Sequence, residues 1–108
     1  MSEFPEIAVE TLSTLLAEGA GVVDVREPDE YQSGHVPGAR LIPLGEVPAR
    51  VAEFPADSPI YVVCRSGARS GRACEFLRQQ GSDAINVGGG TLAWIEAGFE
   101  VVTGNDPA

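Results

Sequence analysis

The chain has 108 residues, enough for one domain with an ordinary core and too few for two. Its 44% hydrophobic content is that of a soluble globular protein. Sixteen acids face seven arginines and no lysine, and a net charge of −9 argues against nucleic acid or an anionic membrane as a partner.

The opening MSEFPEIAVE does not read as a signal peptide, and no apolar run approaches membrane-spanning length. The expected location is therefore the cytoplasm, where Cys64 and Cys74 stay reduced. No repeat, linker or low-complexity tract interrupts the chain, so residues 1–108 read as a single domain with a core of about 7–102.

In chain order, Ile7, Ala8 and Val9 suggest a short strand. Leu12, Leu15 and Leu16 predict a helix over 11–17, stopped by Gly19. A buried strand follows over 22–25, and the chain turns at Pro28. Asp29, Glu30 and Tyr31 allow one helical turn before the loop Gly34-His35-Val36-Pro37-Gly38. A third strand is expected over 39–42 and a loosely amphipathic helix over 46–53. Beyond Pro55 and Pro59, residues 60–63 (Ile-Tyr-Val-Val) read as a buried strand. A six-residue bend, 64–69, leads to a helix over 72–80 that ends at Gly81. Residues 84–87 form another strand, Gly88-Gly89-Gly90 a bend, and 91–97 a last helix. Five strands alternating with helices imply a parallel sheet covered on both faces.

The bend after the 60–63 strand carries the chemistry. It places Cys64 at the carboxyl end of a strand, where ligands collect in open α/β sheets. Tight-loop N–H groups feeding a helix N-terminus make an anion cradle, and Gly67 gives the backbone the freedom to curl. Arg65 and Arg69 add positive charge, and with a screening length of about 8 Å they outweigh the distant acids. Such surroundings lower a thiol pKa, so Cys64 is expected to be a thiolate nucleophile. A buried structural cysteine is the alternative; the strand–loop–helix junction favours the functional reading. Cys74, beside Ala73 and Phe76 in the following helix, reads as core, with a resolving thiol as the other possibility.

Asp24 and Arg26 either support the loop from a neighbouring strand end or form a structural salt bridge. His35 is expected to brace a turn by hydrogen bonding, and Trp94 to pack the last helix on the sheet. Ser66 and Ser70 either cap the helix or touch an anion. Tyr31 and Tyr61 carry no specific signal.

Several stretches together resemble the single-domain rhodaneses. They are Val23-Asp24-Val25-Arg26-Glu27 with Glu30-Tyr31, Gly34-His35-Val36-Pro37-Gly38-Ala39, and Cys64-Arg65-Ser66-Gly67-Ala68-Arg69-Ser70. Asn86-Val87-Gly88-Gly89-Gly90, Trp94 and Ala97-Gly98-Phe99 complete the pattern. The resemblance implies a three-layer α/β/α fold whose five-stranded parallel sheet has the order 3-2-4-5-1. It also implies a sulfurtransferase in which Cys64 accepts a sulfane sulfur as a persulfide and passes it to cyanide, a thiol or a protein. Arg65, Ser66, Gly67, Ala68 and Arg69 would bind the substrate, with Asp24, Arg26 and Ser70 as loop support. Neither a metal nor an organic cofactor is implied. The implied partners are a small anionic donor such as thiosulfate or a persulfide, or a protein donor or acceptor, and the chain is expected to be a monomer. Two-domain rhodaneses that favour thiosulfate place cations where this chain has Glu30 and Ser66, which puts thiosulfate in question as the donor.

Two other functions suit the same fold. Its cell-cycle phosphatases and arsenate reductases need an arginine six residues after the cysteine; here that position is Ser70, and Arg69 comes one earlier. A non-catalytic interaction module is the other, though such domains commonly lose the cysteine that this chain retains.

Overall fold

A computed structural model describes residues 4–108. Its centre is β4 (Pro59–Val63), which pairs in parallel with β2 (Gly21–Asp24) on one side and β5 (Asp83–Val87) on the other. β1 (Glu6–Ile7) extends the sheet beyond β5, and β3 (Arg40–Leu41) extends it beyond β2, giving the order β1-β5-β4-β2-β3. Read from the other edge, this is the expected 3-2-4-5-1.

The continuous apolar run of β4 follows from this central position, because both faces are covered. Strand alternation divides the run between two cores. Ile60, Val62 and Cys64 join Ala73, Cys74 and Leu77 of α3 (Ala68–Gln79). Tyr61 and Val63 face the other way, toward Leu12 of α1 (Val9–Ala17) and Trp94 of α4 (Gly90–Glu96). Among the described residues, no helix is long and apolar enough to cross a membrane.

Four elements differ from expectation. The expected strand through Val9 stops at Ile7, because Val9, Leu12 and Leu16 share a helical face and Val9 and Leu12 are buried. The expected helix over 46–53 is instead a pair of 3₁₀ turns, Leu44–Glu46 and Pro48–Glu53. The break lies at Arg50, which leaves helical geometry at φ −119° and ψ 23°.

α3 begins at Ala68, four residues before the predicted start, so Ala68 and Arg69 belong to its first turn rather than to the bend. Gly71 lies inside α3 and has no side chain to meet the Phe4 ring, from which a Cβ there would lie 2.8 Å. The first turn is closed by the Gly71 N–H donating to the Gly67 carbonyl at 3.0 Å.

α2 (Pro28–Ser33) is longer than the single turn expected, and a capping box between Glu27 and Glu30 starts it. The segment after it is held by the C-terminal tail. His35 and Val102 form an antiparallel bridge, and both His35 ring nitrogens lie 2.8–2.9 Å from carbonyl oxygens, those of Tyr31 and Asp106. The ring also stacks on Tyr31 at 3.6 Å. His35 thus braces the turn, and none of these contacts reaches the Cys64 loop. Trp94 is buried, donates from Nε1 to the Glu100 carbonyl at 2.7 Å, and packs on Phe99.

Candidate active site

Cys64 follows the last residue of β4, and its side chain faces the N-terminus of α3 with only 1% of the residue exposed. The Gly67 N–H donates to Sγ at 3.1 Å, and the Ser70 hydroxyl lies 3.3 Å from it. Gly67 takes a left-handed conformation at φ +109°, which lets the chain turn from loop to helix with its amide pointing back at the sulfur.

What orients the loop is the partnering of its carbonyls. The Thr91 N–H (2.8 Å) and hydroxyl (3.0 Å) donate to the Cys64 carbonyl, and the Leu92 N–H donates to the Arg65 carbonyl at 3.1 Å. On the other flank, Asn86 Nδ2 donates to the Gly67 carbonyl at 3.3 Å and to Glu6 at 2.7 Å. With these oxygens held outward by α4, β5 and α3, the amide side of the curl faces the sulfur. This is an arrangement of the oxyanion-hole kind, one that favours negative charge on sulfur. Thr91 and Asn86 were not among the residues singled out from sequence. Asn86 lies in the Asn-Val-Gly-Gly-Gly stretch, which marks a special backbone but not a side-chain donor; its Oδ1 has no partner among the described residues.

Burial is the largest single influence on the Cys64 thiol and pushes its pKa up. The Ser70 hydroxyl and the amides of Ser70, Gly67 and Ser66 together outweigh it, so the thiol lies below its ordinary value of 9.0. The sequence reading gave this task to the loop amides together with Arg65 and Arg69; the amides and the Ser70 hydroxyl are the groups that dominate.

Arg69 is engaged in a bidentate ion pair with Glu30 at 2.7 and 2.8 Å. That guanidinium brings Glu30 down to about 2, against burial. Arg65 is exposed and, among the described residues, has no ion-pair partner. Ser66 and Ala68 are exposed as well.

Asp24 and Arg26 do not reach the loop by hydrogen bonds. They form a buried pair at 2.8 Å, and Arg26 donates also to the Gly34 carbonyl at 2.8 Å, tying the end of β2 to the 34–38 turn. Cys74 lies fully buried in the core beneath α3, and burial pushes its thiol up to about 12, an unreactive setting. Both cysteines are free.

Ser70 offers a direct test. Its hydroxyl has a single proton, shared in distance between Sγ and the Gly67 carbonyl, both at 3.3 Å. Ionisation of Cys64 draws that proton to sulfur. A hydrogen bond to a charged group contributes about 1.5–3 kcal/mol, or roughly one to two pKa units. Ser70→Ala should therefore raise the Cys64 pKa by about one unit. Thiolate absorbance titration should show the rise, and the acid limb of the alkylation rate should move to higher pH. An unmoved titration would remove Ser70 from the account.

The comparisons with known proteins agree with this geometry. The family model described as the Rhodanese-like domain matches residues 8–97. A protein of Allochromatium vinosum named sulfurtransferase is 42% identical over 100 residues, covering 90% of this chain and 94% of that protein. A protein of Pseudoalteromonas translucida named thiosulfate sulfurtransferase GlpE is 35% identical over 101 residues, covering 92% and 96%. A solved rhodanese-related protein of Thermoplasma volcanium superimposes with a TM-score of 0.87 at 34% identity, covering 94% of this chain and all of that one. The fold, its strand order and these matches, which extend over nearly the whole chain, show that the protein belongs to the rhodanese-like domain family.

Proposed function

We propose that the protein is a sulfurtransferase working through a persulfide on Cys64. The observation that carries this reading is the surrounding of Sγ: a Gly67 N–H, the Ser70 hydroxyl and the first turn of α3, with the nearby carbonyls engaged elsewhere. Such a site stabilises one negative charge on sulfur and lets that charge move outward by one atom. Relatives that bear sulfurtransferase names support the same reading.

With thiosulfate as donor, the Cys64 thiolate attacks the outer sulfur. The S–S bond of the donor breaks, sulfite leaves with the electron pair, and Cys64–S–S⁻ remains. Cyanide or a thiolate then attacks the terminal sulfur, and Cys64 departs as a thiolate stabilised by the same donors. No base is needed once the thiol is ionised, consistent with His35 lying out of the pathway. The phosphatase alternative needs an arginine clamping phosphate oxygens over the loop, whereas here Arg69 is held by Glu30. Thiocyanate formation from thiosulfate and cyanide tests the reading; no turnover with thiosulfate or with any persulfide donor would overturn it.

The Glu30–Arg69 pair bears on donor choice, because it offsets a cation in the first turn of α3 that would otherwise attract a dianion. Glu30→Gln leaves Arg69 uncompensated. For a half-exposed pair the gain is about 1 kcal/mol or less, so kcat/KM for thiosulfate should rise about three- to fivefold. With Glu30 at about 2, the carboxylate is ionised throughout the assay range and the gain should be flat across neutral pH. Because this pKa is depressed from 4.5, the pair's contribution to stability is present above that value and fades as pH falls toward 2. An unchanged or lower kcat/KM for Glu30→Gln would remove Glu30 from donor selection.

A further inference from the structure

We propose that Asn86 directs the Ser70 hydroxyl onto Cys64 Sγ by occupying the Gly67 carbonyl, and is a positioning residue for a sulfur that it does not touch. The inference deepens the sulfur-transfer reading of Cys64 and rests on it only for its bearing on turnover.

A helical serine ordinarily turns its hydroxyl to the backbone carbonyl one turn back. For Ser70 that acceptor is the Gly67 carbonyl at 3.3 Å, and Cys64 Sγ lies at the same distance. Left to local geometry, the single proton would go to the carbonyl, because a thiol sulfur is the weaker acceptor. A carbonyl oxygen, however, has two lone pairs. The Gly71 N–H takes one at 3.0 Å, and Asn86 Nδ2 takes the other at 3.3 Å. Ser70 is then the third donor to an oxygen with two places, and its proton is released to sulfur.

Three observations place Asn86 for this task. First, it is buried in β5 on the face covered by α3, two residues after Ala84, which packs with Ala73, Cys74 and Leu77. Second, β1 brings Glu6 into register with it, and the Glu6 carboxylate accepts from Nδ2 at 2.7 Å. Both neighbours of the amide are acceptors, so only its NH₂ end can face them. Third, Oδ1 has no partner among the described residues. A buried acceptor left unpaired costs stability, and the fold keeps the two donations in spite of it.

The charged and titratable groups around Cys64 lie on several elements. They are Arg65 in its own loop, Arg69 of α3 with Glu30 of α2, the Asp24–Arg26 pair at the end of β2, Glu6 of β1, and Cys74 of α3. Each substitution used below exchanges one uncharged side chain for another and leaves all of these in place.

The test is a double-mutant cycle on the full chain. The Cys64 pKa is read by thiolate absorbance and by alkylation rate against pH; Cys74, pushed up to about 12, stays silent in the neutral range. Asn86→Leu keeps the approximate size of the side chain and removes both donations. The Ser70 proton then settles on Gly67, and forming the thiolate requires that hydrogen bond to be given up. The pKa should rise by about half a unit, a roughly threefold loss of thiolate below it. In a Ser70→Ala chain the same substitution should add nothing, because no hydroxyl is left to redirect. For thiosulfate, kcat/KM should be about threefold lower than wild type below the pKa and equal to it above. Asn86→Ala, read in the same cycle, serves where the leucine variant does not fold.

An unmoved pKa in the Asn86 variant overturns the inference. So does an equal rise with and without the Ser70 hydroxyl, which would mean that Asn86 holds the loop backbone and not the proton. The titration needs no sulfur donor. A chain whose pKa values follow the cycle but that takes up no sulfur therefore overturns the sulfur-transfer reading and leaves the role of Asn86 toward Ser70 standing.

Discussion

Cys64→Ser is expected to abolish sulfur transfer and leave the fold intact. The hydroxyl that replaces the thiol is far too weak an acid to ionise at neutral pH, and oxygen cannot carry a sulfane sulfur through the two displacements. The substitution nevertheless suits the site sterically. Serine Oγ can accept from the Gly67 N–H and exchange a hydrogen bond with the Ser70 hydroxyl, the two groups that now face Sγ. Stability should therefore stay within about 1 kcal/mol of wild type. Thiocyanate production and a denaturation midpoint, measured on the same preparation, separate the two effects. Turnover retained by pure Cys64→Ser would contradict the mechanism; lost turnover accompanied by unfolding would leave it unsupported by this variant, and persulfide loading would then decide.

Gly90→Ala is expected to disable the loop without touching a reacting atom. A Cβ on Gly90 would lie 2.5 Å from the Cys64 carbonyl and 2.6 Å from that of Arg65, both backbone atoms that cannot swing aside. Either α4 or the loop has to move, and the Thr91 and Leu92 hydrogen bonds that turn those carbonyls outward are lost with the movement. Overpacking of this kind costs about 1–3 kcal/mol. A displacement of about 1 Å at a reacting group can lower turnover by about a hundredfold. Gly81→Ala is the control: Gly81 also has a positive φ, +93°, but nothing lies within 4 Å of its added Cβ. It should lose about 1–2 kcal/mol from backbone strain alone and keep its turnover. Wild-type turnover in Gly90→Ala would show that the loop does not depend on α4.

The sheet was legible because its central strands are apolar on both faces, a pattern few other elements share. Cys64 was legible for the same reason, since it follows the longest such run and precedes a glycine-containing turn. The start of α3 was not, because Arg69, Ser70 and Gly71 have no apolar periodicity. Gly71 is small to admit the Phe4 ring, which comes from the far end of the sequence. The helix expected over 46–53 failed at Arg50, where the backbone leaves helical geometry, a break that a weak amphipathic pattern does not show.

The two arginines are the more instructive case. Sequence placed them together beside the sulfur as equal cations. The fold separates them, giving Arg69 to Glu30, a partner 39 residues away, and leaving Arg65 exposed. No local pattern encodes that division. Asn86 and Thr91 were hidden in a similar way, because hydrogen bonds to loop carbonyls depend on which strand ends the topology brings side by side.

The central claim is that Cys64 carries the transferred sulfur, and intact mass of the reduced protein before and after brief donor treatment measures it most directly. The account predicts one added sulfur atom, found on Cys64, removed stoichiometrically by cyanide and absent from Cys64→Ser. A protein that gains no sulfur from thiosulfate or any persulfide donor, or that gains it equally without Cys64, would contradict it.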